Sequence, residues 1–354
     1  MPFGKHTPYT ILILAMLGWI LTACAQETAK AGPEDQTVPV VATLMANATA
    51  EAAINQPTVV ATSVAEKTAD VVTTIDAPQK TAVMATLIAA ETGAEAAAEA
   101  AVTPAAAEVS WEDLPVVPTL SARARQIYNA GIARGNNPQA FSKVGDCESR
   151  TTWFLWDFDQ KSPDYYTLGE YTDLQTVIDY FAGSHKRLSQ AAKQGFTAAS
   201  VMSPMWADVE QCERNETPLA CEYRQHRPAF VFITLGTNDG VRPETFEKNM
   251  RRVIDYSIEQ GVVPILATKA DNMEGDHSIN ATIASLAQEY DIPLWNFWRA
   301  VQDLPDQGLQ EDGSHLTWAP NQFDDPSVMK KAWPLRNLTA LQVLDALLKG
   351  TQNP

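Results

Sequence analysis

The chain has 354 residues, with 43 Asp and Glu against 26 Lys and Arg, a formal net charge of -17 and a pI near 4.7. That balance argues against a nucleic-acid partner, because gripping a phosphate backbone takes clustered Lys and Arg. Four cysteines are too few for a disulfide scaffold, and residues 25–110 contain no Phe, Trp, Tyr or Cys, so the mass that can build a core lies after Trp111. One folded domain of about 240 residues is the expectation.

The amino terminus reads as an address. Lys5 and His6 precede the apolar run from Ile11 to Leu21, which is shorter than the roughly 20 apolar residues a bilayer span needs. The run ends in Leu21-Thr22-Ala23-Cys24, which resembles a bacterial lipobox. The alternative is an ordinary signal peptide that happens to be followed by a Cys. On the lipobox reading, residues 1–23 are a lipoprotein signal peptide, Cys24 is the lipidated residue, and the protein works at the cell envelope or cell surface, held to the membrane through its lipid anchor only.

Residues 24–110 are rich in Ala, Thr, Val and Glu, and the stretch from 25 carries 11 acidic and 3 basic residues. Short echoes (Val41-Ala42-Thr43-Leu44, Val60-Ala61-Thr62-Ser63, Met84-Ala85-Thr86-Leu87) recur at irregular spacing, which does not suit a stacked solenoid. Without aromatics the segment cannot bury enough surface to offset its ordering entropy, so a disordered stalk is expected.

From residue 138 onward, short apolar runs alternate with amphipathic ones. Phe141 to Gly145 reads as a first strand. Leu174, Val177, Ile178 and Phe181 share a helical face, and Phe196 to Val201 reads as a second strand. Ala229 to Leu235 is a continuous apolar run suited to a strand covered on both faces. A helix follows from about Pro243, with Phe246, Met250, Val253 and Ile254 as its buried stripe and Gly261 as its stop. Val262 to Ala267 is the next strand, Ile279 to Tyr290 a helix, Ile292 to Trp295 a strand, and Leu338 to Leu348 a closing helix. Residues 111–354 thus predict an α/β domain with a parallel sheet, whose function gathers at the carboxyl ends of the strands.

Three motifs fall at such ends or in a late loop: Gly145-Asp146-Cys147, Gly236-Thr237-Asn238-Asp239, and Asp312-Gly313-Ser314-His315. In this order and spacing they resemble the blocks of the SGNH (GDSL-type) hydrolases, over roughly residues 138–348. The resemblance implies a three-layer α/β/α fold with a parallel flavodoxin-like sheet, and hydrolysis of ester bonds without a cofactor. Carried over by position, His315 is the general base, Asp312 orients it, and Asn238 donates to the oxyanion with the backbone N–H groups of Cys147 and Ala198. Gly145, Asp146, Gly236 and Asp239 are the structural members of the motifs.

The chain departs from that family at the nucleophile, where Cys147 replaces Ser. Cys147 is then a working nucleophile forming a thioester, or a relic in a silent pocket that only binds, or a buried small hydrophobe. Ser149 and Ser314 lie near the motifs but suit a helix start and a turn. Cys212 and Cys221 bracket a polar loop, Glu213 to Ala220, and are natural disulfide partners in an oxidising compartment, two thiols being the alternative. Cys147, Asp312 and His315 are also chemically able to ligate zinc. No Cys-x-x-Cys or His-x-x-x-His pair supports that, so no metal site is expected. His185, His226 and His277 read as surface or loop histidines. Seven tryptophans of the domain (153, 156, 206, 295, 298, 318 and 333) read as core, with one or two on a ligand. The expected substrate is a small or glycan-borne ester, with the chain a monomer.

Overall fold

The computed structural model describes residues 110–352 apart from 161 and 163. The signal segment, Cys24 and the stalk up to residue 109 lie outside the described residues. No helix among the described residues is long and apolar enough to cross a membrane.

The elements in chain order are α1 (Ala122–Ala133), β1 (Asn137–Gly145), α2 (Cys147–Arg150), β2 (Tyr166–Thr167), α3 (Gln175–Tyr180), α4 (Pro218–His226), β3 (Pro228–Thr234), α5 (Phe246–Glu259), β4 (Val263–Ala267), α6 (Ser278–Tyr290), β5 (Leu294–Trp295), α7 (Phe297–Val301), β6 (Asn321–Gln322) and α8 (Ala332–Gln352). The main sheet runs β1-β3-β4-β5, with every neighbouring pair parallel, and β2 pairs with β6 separately. Register places Val144 opposite Ile233 and Phe232 opposite Ile265. On the far side of β1, Gly145 forms a parallel bridge with Ala192, where a further strand would lie in a flavodoxin-like order.

Consecutive residues of a strand point to opposite faces. Ala229, Phe230, Val231, Phe232 and Ile233 are all fully buried, so both faces of β3 are covered and the sheet is the middle of three layers. Phe141, Phe154 and Trp295 each meet the Phe232 ring edge-on, at centroid distances of 5.8, 6.0 and 5.5 Å. The turn after α5 packs so closely on α1 that a Cβ on Gly131 would collide with the Gly261 carbonyl, and Gly261 itself sits at φ +69°.

Two expectations need correction. Phe196 to Val201 is not a strand. The Phe196 carbonyl accepts from Asn238 and the Ala198 N–H goes to Asp239, so side chains of the second motif take the backbone groups a ladder would need. The pairing with β1 falls earlier, where Gly145 donates to Ala191 and Lys193 donates to Gly145. The expected polar loop between the later cysteines gives way at its end to α4, whose Thr217 cap accepts the Ala220 N–H and whose first residue is Pro218. That helix carries Glu222, fully buried, which accepts from Ser142 Oγ at 2.6 Å, Gln190 N at 2.9 Å and the Arg187 guanidinium at 2.6 Å. Glu222 thereby fastens the 187–193 segment to β1.

Candidate active site

The first motif forms because β1 must turn at once into α2. Asp146 caps that helix, its Oδ1 accepting the Glu148 N–H at 3.0 Å, so Cys147 is the first residue of the helix and is partly buried. Position 145 must be glycine, since a Cβ there would collide with the hydroxyls of Ser149 and Thr234. Those two hydroxyls are hydrogen-bonded to one another and Ser149 is buried, so Ser149 is a strut between α2 and the end of β3 and not a solvated cap. Cys147 keeps its thiol, while Cys212 and Cys221 are joined with their Cα atoms 5.3 Å apart.

Asp146 is only 4 % exposed. Burial pushes its carboxyl up to about 7, with the neighbouring Glu148 charge adding to the effect and the Glu148 N–H and Arg336 opposing it.

The second motif meets it across the strand ends. Gly236 adopts φ +140°, and the turn sets both Asn238 Nδ2 hydrogens on acceptors, Asp146 Oδ2 and the Phe196 carbonyl, each at 3.2 Å. Asp239 is buried, and its two carboxylate oxygens lie 3.1 and 3.2 Å from the Ala198 nitrogen. Burial raises Asp239 to about 6 despite that bond. Ala198 therefore differs from expectation: the N–H assigned to an oxyanion is given to Asp239. The loop after β4 braces this turn. Thr237 Oγ1 donates to Asp271 at 2.7 Å, and the buried Lys269 Nζ bonds Asp271 at 2.8 Å and Glu274 at 2.6 Å.

In the third motif Asp312 folds back on its own loop. Its Oδ1 accepts the N–H groups of Ser314 and His315, both at 3.0 Å, and its Oδ2 lies 2.7 Å from His315 Nδ1. Burial acts to raise the Asp312 carboxyl, but the two N–H bonds and the imidazole together hold it below the usual carboxylate range. Nδ1 is thereby engaged, so Nε2 is the ring nitrogen that could serve a nucleophile. Ser314 is the turn residue it was expected to be.

Sequence reasoning missed what joins the first and third motifs. Glu148, the residue after Cys147, accepts the N–H of Leu316, the residue after His315, at 3.3 Å, and its other oxygen pairs with Arg336 Nη1 at 2.6 Å. Arg336 is buried, with ring centroids of Phe154, Phe297, Trp333 and Trp295 between 4.9 and 5.8 Å from its guanidinium carbon. Burial pushes the Glu148 carboxyl up and Arg336 pulls it back. The available signal was an acidic residue directly after Cys147 and an Arg following the apolar stretch Ala332 to Leu335 at the start of α8.

His185 also departs from expectation. It is fully buried, with Nε2 on the Ile178 carbonyl at 3.1 Å, and burial lowers it to about 4. Among the described residues, the cluster with metal-ligand spacing is Cys212, Glu216 and Cys221, and its sulfurs are joined to each other.

No family model matches the chain. Over 121 residues, 32% of its length, it is 28% identical to the thioesterase 1/protease 1/lysophospholipase L1 of Escherichia coli K12, and equally to that of E. coli O6:H1 CFT073. The matched stretch spans 58% of those relatives' own length. Among solved structures, a G-D-S-L family protein from Desulfitobacterium hafniense DCB-2 aligns with TM-score 0.36 and 15% identity, covering 58% of this chain and 99% of its own. A GDSL-like lipase from Bacteroides thetaiotaomicron VPI-5482 aligns with TM-score 0.35 and 14% identity, covering 63% of this chain and 97% of its own.

Proposed function

We propose that the chain is an SGNH-type ester hydrolase that works through Cys147, His315 and Asp312, exported and tethered by lipid on Cys24. The observation that carries the reading is the Asp312–His315 dyad, bonded at 2.7 Å, on a loop that Glu148 hydrogen-bonds to the helix beginning at Cys147. In this chemistry Cys147 Sγ attacks the ester carbonyl as His315 Nε2 takes the thiol proton. The tetrahedral intermediate collapses to a thioester, and His315 returns the proton to the departing alkoxide. Water, deprotonated by the same imidazole, then releases the acid and restores the thiol. Asp312 supports the imidazolium that forms in both halves. Asn238 reaches the oxyanion by exchanging one of its two long 3.2 Å bonds for a shorter, charge-assisted one. The substrate class is a small ester or an ester carried on a glycan.

One observation favours a second reading, a pocket that binds without turnover. The Ala198 N–H and both Asn238 amide hydrogens already have protein acceptors. The readings separate on p-nitrophenyl acetate with the purified chain. Turnover that vanishes in Cys147→Ala and His315→Ala supports the hydrolase. No turnover in wild type, with a gain in Cys147→Ser, means a site silenced by its sulfur, and none in any variant means a binding module.

A further inference from the structure

One cleft lies outside the catalytic constellation and has no part in the chemistry above. It has a volume of about 370 Å³, within the range of small-ligand pockets, roughly 300–1,000 Å³. Trp153, Trp156, Trp318 and Tyr165 line it with Asp157 and Asp164. Trp153, Tyr165 and Trp318 are 36, 45 and 52 % exposed. Three large exposed aromatics gathered in one concavity are unusual for a surface with nothing to bind.

The cleft is built into the same two segments that carry the proposed nucleophile and base. Trp153 follows Cys147 by six residues, and Trp318 follows His315 by three. At about 3.5 Å per extended residue, Trp318 is anchored within about 10 Å of the base along the chain. The Trp153 and Trp318 rings stand 6.2 Å apart at 47°. Asn337 fixes the floor, donating to the Trp153 carbonyl at 2.8 Å and to Asn321 Oδ1 at 2.9 Å, while Asn321 donates to Asp157 Oδ2 at 2.8 Å. Asp164 receives the Ser162 hydroxyl on Oδ2. Asp157 and Asp164 each present their Oδ1 without a hydrogen bond among the described residues.

From this arrangement we infer that the cleft is a subsite for an uncharged sugar unit of the substrate, holding it beside the dyad. This rests on the ester-hydrolase reading and narrows its substrate to an ester carried on a neutral glycan. A pyranose has an apolar C–H face that fits an indole and equatorial hydroxyls that donate to carboxylates. An acyl chain would strip water from Asp157 and Asp164 and give nothing in return. A uronate or phosphate would meet two carboxylates, and among the described residues no Lys or Arg lines the cleft.

The test is binding, measured on the full chain carrying Cys147→Ala, so that turnover plays no part in it. The tryptophan fluorescence is titrated with tetra-N-acetylchitotetraose, cellotetraose and tetragalacturonate. A saturable change with at least one neutral tetramer and none with the uronate is expected. Trp318→Ala weakens the binding about tenfold or more, and Trp318→Phe restores most of it. Trp153→Phe, with its circular dichroism unchanged, weakens it by a smaller factor.

Binding of neither neutral tetramer, a preference for tetragalacturonate, or an affinity indifferent to Trp318→Ala overturns the inference. A wild type that cleaves p-nitrophenyl acetate but binds no neutral tetramer loses the subsite and keeps the esterase. One that binds through Trp318 but cleaves no ester keeps the subsite and loses the esterase.

Discussion

Removing the Glu148 carboxylate tests whether the site is held together as the geometry implies. Glu148 Oε2 is 2.6 Å from Arg336 Nη1, and the two side chains are 20 and 5 % exposed. Breaking a buried pair from one side costs about 3–5 kcal/mol, because the remaining charge is left without its counterion. Four aromatic rings still face Arg336, which puts Glu148→Ala near the lower end, about 3 kcal/mol. For a domain of this size each kcal/mol moves the melting temperature by about 2–4 °C, so a drop of roughly 6–12 °C follows. Glu148→Gln keeps an acceptor for the Leu316 N–H but turns its amide NH2 toward Arg336 and removes the counterion, so a loss of about 2–3 kcal/mol is expected. Calorimetric melting of Glu148→Ala, Arg336→Met and the double variant gives the coupling directly. A coupling below about 0.5 kcal/mol, the scale of an exposed pair, would refute the strut. Activity supplies a second readout. Glu148→Ala releases the loop that carries His315, and turnover of p-nitrophenyl acetate should fall about tenfold or more, whereas Glu148→Gln retains most of it.

Two further outcomes are open to simple measurements. Replacing Cys212 and Cys221 by Ala opens a loop of sequence separation 9 and should lower stability by about 2–3 kcal/mol in urea unfolding, an effect that dithiothreitol reproduces in wild type. Cys24→Ser in the producing cell should move the protein from the membrane pellet to the soluble fraction, and an unchanged distribution would count against the lipid tether.

The order of strands and helices was legible because each central strand is an unbroken apolar run and α5 carries its stripe at helical spacing. The motifs were legible because each is compact in sequence: Gly145-Asp146-Cys147, Gly236 to Asp239, and Asp312 to His315 each span four residues or fewer. What the sequence hid depends on distant partners. Nothing local to Phe196–Val201 says that its backbone is claimed by Asn238 and Asp239, some forty residues on. Nothing around Glu148 announces Arg336, 188 residues away. The α4 helix was legible in principle, since Thr217-Pro218 is a cap followed by a first-turn proline. The bracketing cysteines drew the reading toward a loop instead.

The charges gathered around Cys147 bear on how a thiol works there. A sulfur nucleophile is favoured by positive surroundings, yet Cys147 stands between Asp146 and Glu148. Arg336 is committed to Glu148 and Lys269 to Asp271 and Glu274. A standing thiolate would add a third negative charge to that group, so on the proposed hydrolase chemistry the proton would leave with the attack and go to His315, and the charge would pass quickly to the oxyanion. Asp146 makes this testable, because its carboxyl ionises at about 7 in the fold and near 3.9 in the unfolded chain. The folded state holds the proton more tightly, so Asp146 contributes stability below about pH 4 that is lost as pH rises to 7. Asp146→Asn should flatten that part of the stability–pH curve. The same variant should react with iodoacetamide at the wild-type rate at pH 6, where Asp146 is mostly neutral, and several-fold faster at pH 8, where the wild-type carboxylate opposes charge on the sulfur. A rate ratio that stays constant between these values would mean that Asp146 does not act on Cys147 through its charge.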